Sequence, residues 1–278
     1  MFFRGVSCIH LTPMPIEPHA FWQPQIDFQN DLQTSFALIG LHRTATPYSD
    51  PHQTFLSDLQ RDKEGLYYAL EQVFIGTDYP AHRAHKEIFW RRDTLGKPYI
   101  TWEGEILEWA KQNALDYRYL HLSNSHDGAA HLLFVTYGSQ FVGVGIDVVS
   151  LSRFQNKTRP ELHRFARKIM SETEFVGLQG YLQEESEAEL RNRVVAHFSL
   201  MEAASKACGT GLKIGLGMGK PTSLPIRSLG AKSVSPTVEL LFEEPALQRI
   251  ADLGATRYTG YVLCEGAYLT SVVVLWCD

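Results

Sequence analysis

Apolar and polar positions fall into readable patterns mainly in the second half of the chain. Tyr119 to Ser123 reads as a strand, and His131 to Tyr137 is a run of β-forming residues. A Gly138-Ser139 turn leads from it into Gln140 to Val149, which predicts a hairpin. Two capping-box patterns follow, Ser171-x-x-Glu174 and Ser186-x-x-Glu189, each ahead of apolar residues at helical spacing. They predict helices over 171–182 and 187–208, the second stopped by Gly209. Gly211 to Gly219 is a glycine-rich loop, after which Val238 to Phe242, Tyr258 to Cys264 and Ala267 to Trp276 read as strands, the last two joined at Glu265-Gly266. The first sixty or so residues are rich in Pro, His and Gln and show little periodicity. Strands and helices come in mixed blocks without regular βαβ alternation, so the expected class is α+β.

Composition narrows the partners. With 278 residues, 44% hydrophobic and 21% charged, the chain is long enough for one large domain or two halves. Its formal net charge of −5 lacks the basic footprint expected of a nucleic-acid binder. The positive charge is local: Leu151 to Met170 holds Arg153, Lys157, Arg159, Arg164, Arg167 and Lys168 against the single acid Glu161. Cys8, Cys208, Cys264 and Cys277 are scattered without metal-ligand spacing and read as reduced. The early apolar stretch is broken by Arg4, His10 and prolines, and Ser271 to Cys277 is too short to span a bilayer. The expectation is a soluble cytoplasmic protein with no membrane partner.

The candidate chemistry sits on the second predicted helix. Phe198, Glu202 and Lys206 are spaced four apart and share one helix face. Taken alone, Glu202 and Lys206 make an ordinary solvated pair worth a few tenths of a kcal/mol. Asp147, in Gly145-Ile146-Asp147-Val148-Val149, ends an apolar strand, where an aspartate is a turn former, a cap or a ligand. Together, Asp147 and Glu202 supply two hard oxygen ligands. That is as many protein carboxylates as magnesium usually takes, the rest of its octahedron being water and substrate phosphate.

Gly-Ile-Asp followed by Phe-x-x-x-Glu-Ala-x-x-Lys-Ala-x-Gly-Thr-Gly resembles the paired signature of the 4'-phosphopantetheinyl transferase superfamily. The second half, Phe198 to Gly211, is closest to the acyl-carrier-protein synthase type, and Arg164-Phe165 through Ser171-Glu172-Thr173-Glu174 resembles the segment that precedes it. Arg92 to Ile100, with Gly96-Lys97-Pro98, and Leu122 to Gly128, with Ser125-His126, are similar to pieces of the larger two-half members. The resemblance implies a pseudo-dimer of two α+β halves, here 1–140 and 141–278, with coenzyme A between them. It implies a magnesium ion shared by Asp147, Glu202 and the pyrophosphate, with Lys206 stabilising phosphate charge and protonating the leaving 3',5'-ADP. Arg92, Lys97, Ser125 and His126 match positions that contact coenzyme A phosphates. The implied partner is an apo-acyl or peptidyl carrier protein; its serine needs a neighbouring base, either Glu202 or a magnesium-bound water acting through it, and the basic run of 151–170 would steer that acidic partner.

Each piece has a plainer reading. Gly96-Lys97-Pro98 alone is a turn with a solvated lysine, His126-Asp127 alone is a local hydrogen-bonded turn, and the basic run alone is a solvated helix face. The glycine loop is not a Walker motif, because Lys220 is followed by Pro221. Two positions depart from the family pattern. Met201 stands where a lysine usually precedes the glutamate, and Val149 stands where many two-half members carry a third acid. Met201 favours a non-catalytic homologue that binds coenzyme A or a carrier protein; the joint presence of Asp147, Glu202 and Lys206 favours the enzyme.

Overall fold

The computed structural model describes residues 21–22, 35–42, 63, 65–71, 73–74, 77–93, 97–128, 130–170, 172, 175–176, 186–210, 221–223, 237–238, 240–242 and 246–277. The chain divides into two compact units, Met1–Phe141 and Val142–Asp278.

In the first unit, β1 (Phe21–Trp22), β2 (Ser35–His42), β5 (Leu120–Asp127) and β6 (Ala130–Tyr137) form an antiparallel sheet in the order β1-β2-β6-β5. A separate hairpin pairs β3 (Ile88–Arg92) with β4 (Pro98–Trp102). The helix α1 (Gly104–Gln112) and the helical stretch 65–71 bury Leu66, Leu70, Ile106 and Trp109 against Ile100, Leu122, Leu133 and Val135. The entry into α1 depends on Gly104, at φ +54°: a Cβ there would meet the Glu87 carboxyl at 2.6 Å. That carboxyl is needed in place, since it accepts the otherwise unpaired Ile106 N–H of the first helical turn at 2.9 Å.

The second unit is built on β7 (Phe141–Ser150), whose first residue closes the first unit. With β9 (Thr237–Val238), β11 (Arg257–Glu265) and β12 (Tyr268–Trp276) it makes a sheet in the order β7-β12-β11-β9. Two helices, α2 (Arg159–Ile169) and α3 (Glu187–Ala207), complete its core with the short α4 (Ala246–Asp252). The start of α3 is the predicted one: the Ser186 N–H donates to Glu189 Oε2 at 2.9 Å and the Glu189 N–H donates to Ser186 Oγ at 3.3 Å. Leu190, Val194, Leu200, Ala203 and Ala207 pack into one cluster with Leu269, Val273 and Leu275 of β12.

The mixed, largely antiparallel arrangement is α+β, as the element pattern predicts. The hairpin expected around Gly138-Ser139 does not form. Instead β6 pairs with β2 and β5 in the first unit while β7 joins β12 in the second, so the turn passes the chain from one sheet to another. The strand expected over 238–242 is split, β9 pairing with β11 and β10 (Leu240–Phe242) with β8 (Pro221–Ser223). The hairpin near Glu265-Gly266 forms, but with its turn one residue later: Glu265 pairs with Tyr268 and the loop is Gly266-Ala267. Most of the helix expected over 171–182, with its cap at Ser171, and the glycine loop of 211–219 lie outside the described residues. The basic run reads from sequence only as a helix face without bounds; the structure gives α2 its start at Thr158-x-x-Glu161, a complete capping box with proline in the first turn.

Candidate active site: two carboxylates and a lysine under one helix

The cluster begins with two glycines. A Cβ on Gly143 would lie 2.3 Å from the Ala207 carbonyl oxygen, and one on Gly145 would lie 1.8 Å from that of Ala203. The backbone of α3 therefore rests directly on that of β7, an approach that Ala203 and Ala207 permit from the helix side by being small. Side chains alternate across a strand, so Asp147 shares the face of Gly143 and Gly145 and points at the helix.

There it meets Lys206. The ammonium donates to Asp147 Oδ1 at 3.0 Å and to the Ile146 carbonyl oxygen at 2.8 Å. Asp147 is 3% exposed, whereas Lys206 reaches the surface with part of its side chain. Burying the aspartate with a charged hydrogen-bond partner avoids the large cost of an isolated buried charge. Glu202, one turn before Lys206, brings its carboxyl close enough to Asp147 for the two charges to repel. Burial first, and the neighbouring Asp147 charge second, push the Glu202 carboxyl up to about 7, against the pull of Lys206 and Arg153.

Two crowded carboxyls held by a helix-strand contact form a hard-oxygen donor set, and the repulsion that raises Glu202 is what a divalent cation relieves. Among the described residues no group of three or more His, Cys, Asp or Glu side chains is arranged to hold a metal. The pair fits magnesium, which completes its shell with water and phosphate oxygens, better than it fits an all-protein site. Asp147, Glu202 and Lys206 are thus brought together.

The other four candidates lie in the first unit. Arg92 ends β3 and Lys97 stands before β4, where the Asp93 N–H donates to the Lys97 carbonyl at 3.0 Å and the Lys97 N–H donates to Asp93 Oδ1 at 2.8 Å. Ser125 is buried and His126 exposed near the end of β5, the His126 ring 5.9 Å from that of His131. Burial, with the charge of Lys97, draws His121 down to about 4, so Lys97 is within electrostatic range of β5 four residues before Ser125.

A sequence model of the 4'-phosphopantetheinyl transferase superfamily matches residues 143–259. The holo-[acyl-carrier-protein] synthase of Desulfovibrio desulfuricans is 30% identical over 134 residues, which cover 48% of this chain and 96% of that protein. The chain belongs to the 4'-phosphopantetheinyl transferase superfamily. This is a family of transferases, and its characteristic matched region spans the whole cluster of Asp147, Glu202 and Lys206. The synthase of Photorhabdus laumondii is 29% identical over 134 residues, covering 48% of this chain and 96% of its own. A holo-(acyl-carrier-protein) synthase from Bacillus anthracis, solved in complex with CoA (3',5'-ADP), aligns at a TM-score of 0.35 and 20% identity, covering 50% of this chain and all of that one.

One departure from this transferase pattern gains a structural setting, and one further residue joins the cluster. Met201 is 5% exposed and packs in the core of the second unit, so its position looks inward. Arg153, which the sequence places only within a basic run, acts on Glu202 and belongs to the cluster's electrostatic surroundings. Its signal was the short spacing from Asp147 through the turn Leu151–Phe154.

Proposed function

We propose that the chain moves the 4'-phosphopantetheine arm of coenzyme A onto a serine hydroxyl of an apo-acyl or peptidyl carrier protein, releasing 3',5'-ADP, with magnesium held by Asp147 and Glu202. The observation that carries this reading is the convergence of Asp147, Glu202 and Lys206 beneath one helix, in a chain whose relatives are holo-[acyl-carrier-protein] synthases. When bound, the magnesium neutralises phosphate charge and orients the pyrophosphate.

The protein's own residues do the rest. Serine oxygen forms a bond to the β-phosphorus while the bond from that phosphorus to the bridging oxygen of 3',5'-ADP breaks. Glu202 takes the serine proton, because a hydroxyl becomes a competent nucleophile only beside a base. Lys206 uses two of its three N–H donors on Ile146 and Asp147, which leaves one for the charge that grows on the departing phosphate. Arg92, Lys97, Ser125 and His126 bind phosphates of the coenzyme.

The test is intact-mass analysis of several apo-carrier proteins incubated with this chain, coenzyme A and magnesium. The expected result is a phosphopantetheine adduct on at least one carrier, lost on chelation of the metal. Absence of any adduct while coenzyme A still binds overturns the reading in favour of a binding homologue.

A further inference from the structure

Two buried hydroxyls lie behind the carboxylate cluster. Ser199 of α3 and Ser271 of β12 are both 0% exposed, and neither Oγ has a hydrogen-bond partner. A buried hydroxyl left unmatched costs about 1–3 kcal/mol, so two of them in one small core call for an explanation.

Their placement supplies one. The Leu151 N–H donates to the Ala267 carbonyl at 2.8 Å, and Gly143 lies against Leu275, so β7 and β12 run antiparallel. Four residues back along β7 and four forward along β12 from that bond, Asp147 stands opposite Ser271. Ser271 alternates with Leu269, Val273 and Leu275, which pack with α3, so its hydroxyl and Asp147 share the helix-facing side. Cross-strand neighbours on one face have Cβ atoms about 4.5–5.5 Å apart.

The helix brings Ser199 to the same level. Ala207 lies over Gly143 and Ala203 over Gly145, so α3 runs against β7 in step. Four helical residues rise about 6 Å and two strand residues about 6.6 Å. One further step along each puts Ser199 beside Asp147 and Ser271. Lys206 occupies one lone pair of Asp147 Oδ1, while an ionised carboxylate accepts about four hydrogen bonds.

We propose that Ser199 and Ser271 are positioning residues that hold the inner side of Asp147 through a bridging water, which accepts or donates at the three buried oxygens that have no direct partner, and so fix it as a metal ligand. The inference rests on the magnesium reading of Asp147 and Glu202 above. Outer partners of a ligating carboxylate typically govern affinity for the metal by about 10–100-fold. A hydroxyl donor here does so without touching substrate.

The experiment titrates Mn2+, as a paramagnetic stand-in for magnesium, into the full chain with coenzyme A and follows free ion by electron paramagnetic resonance. Wild type is compared with Asp147→Asn, Ser199→Ala, Ser271→Ala and Ser271→Thr. The expected result is cation binding that Asp147→Asn abolishes, that each alanine variant weakens about tenfold, and that Ser271→Thr retains because the hydroxyl survives. Thermal melts of the metal-free variants establish folding. Wild-type affinity in both alanine variants, or equal loss in Ser271→Thr and Ser271→Ala, overturns the positioning role and leaves the metal reading standing. No cation binding by wild type, or binding indifferent to Asp147→Asn, overturns the metal reading and this inference with it.

Discussion

A methyl group on Gly145 would sit 1.8 Å from the carbonyl oxygen of Ala203. The contact is backbone to backbone, so neither partner can rotate away, and it sets the distance at which Glu202 and Lys206 face Asp147. Gly145→Ala should therefore lift α3 off β7, at a cost of about 3 kcal/mol or more, at or above the usual range for overpacking. A misplacement of about 1 Å in a reacting geometry costs on the order of 100-fold in rate. Chemical denaturation and turnover of the purified variant check both effects; unchanged stability would mean that the sheet yields at β7.

Removing either carboxylate should separate chemistry from folding. Asp147→Ala and Glu202→Ala each remove one proposed metal ligand while leaving a small change in volume, and at limiting magnesium each should reduce transfer by at least 100-fold. Near-normal turnover by either folded variant would remove the metal assignment. Asp147→Ala also strands the Lys206 ammonium beside the Ile146 carbonyl, so it should be the less stable of the two.

Glu202 links the site to pH. Its carboxyl is held up to about 7, above its ordinary 4.5, chiefly by burial and by Asp147. A carboxyl raised in the folded state keeps its proton when the unfolded chain has released one, so the metal-free protein loses stability as pH rises through the window from 4.5 to about 7. With its partial exposure discounted, the effect is on the order of 1 kcal/mol. Glu202→Gln should accordingly raise Tm by a few degrees at pH 8 and by nothing at pH 4, in melts with chelator present. Saturating magnesium should reverse the order of the two proteins at pH 8. A Tm gain independent of pH would mean that the glutamine improves packing instead.

Met201 shows where sequence reasoning stops. Four-residue spacing places Phe198, Glu202 and Lys206 on one face, but α3 is buried around most of its circumference, so periodicity alone does not tell which way position 201 looks. The structure packs it against the core, and Met201→Lys should cost about 2–4 kcal/mol with no gain in turnover. A variant with wild-type Tm and faster transfer would place the ammonium on the phosphate side, by snorkelling past Glu202. The cluster itself was legible because its residues recur at fixed spacing within two short motifs. Ser199 and Ser271 were not, since each is an ordinary serine until the seating of α3 on β7 and the pairing of β7 with β12 bring them to the level of Asp147. The Gly138-Ser139 turn misled for a related reason: a turn fixes local chain direction, and only long-range pairing decides which sheet the next strand joins. In α2 the charge pattern dominates the sequence, and it marks a helix face without marking the start that the Thr158 capping box fixes.

That run carries the last prediction. Along α2, Arg164, Arg167 and Lys168 are exposed, while Leu162, Ala166 and Ile169 turn inward, so the basic residues occupy one solvent face. The acid of the run, Glu161, is engaged by the Thr158 cap and by Lys157 at 3.9 Å, which leaves the later turns of the helix uncompensated within the element. A face of this kind attracts an acidic partner, and under the proposed function that partner is the carrier protein. Steering of this sort acts on association and weakens as salt screens it, over about 8–10 Å at physiological ionic strength. Reversing charge at Arg164 and Lys168 should raise KM for the carrier about tenfold at low salt and flatten its dependence on salt. The two side chains point to solvent, so stability should stay within about 0.5 kcal/mol. The KM for coenzyme A should not move, because its phosphates are assigned to other residues. Steady-state kinetics with each substrate varied in turn, at two ionic strengths, decides the matter: equal losses for both substrates, or none for the carrier, would place the docking surface on another face of the protein.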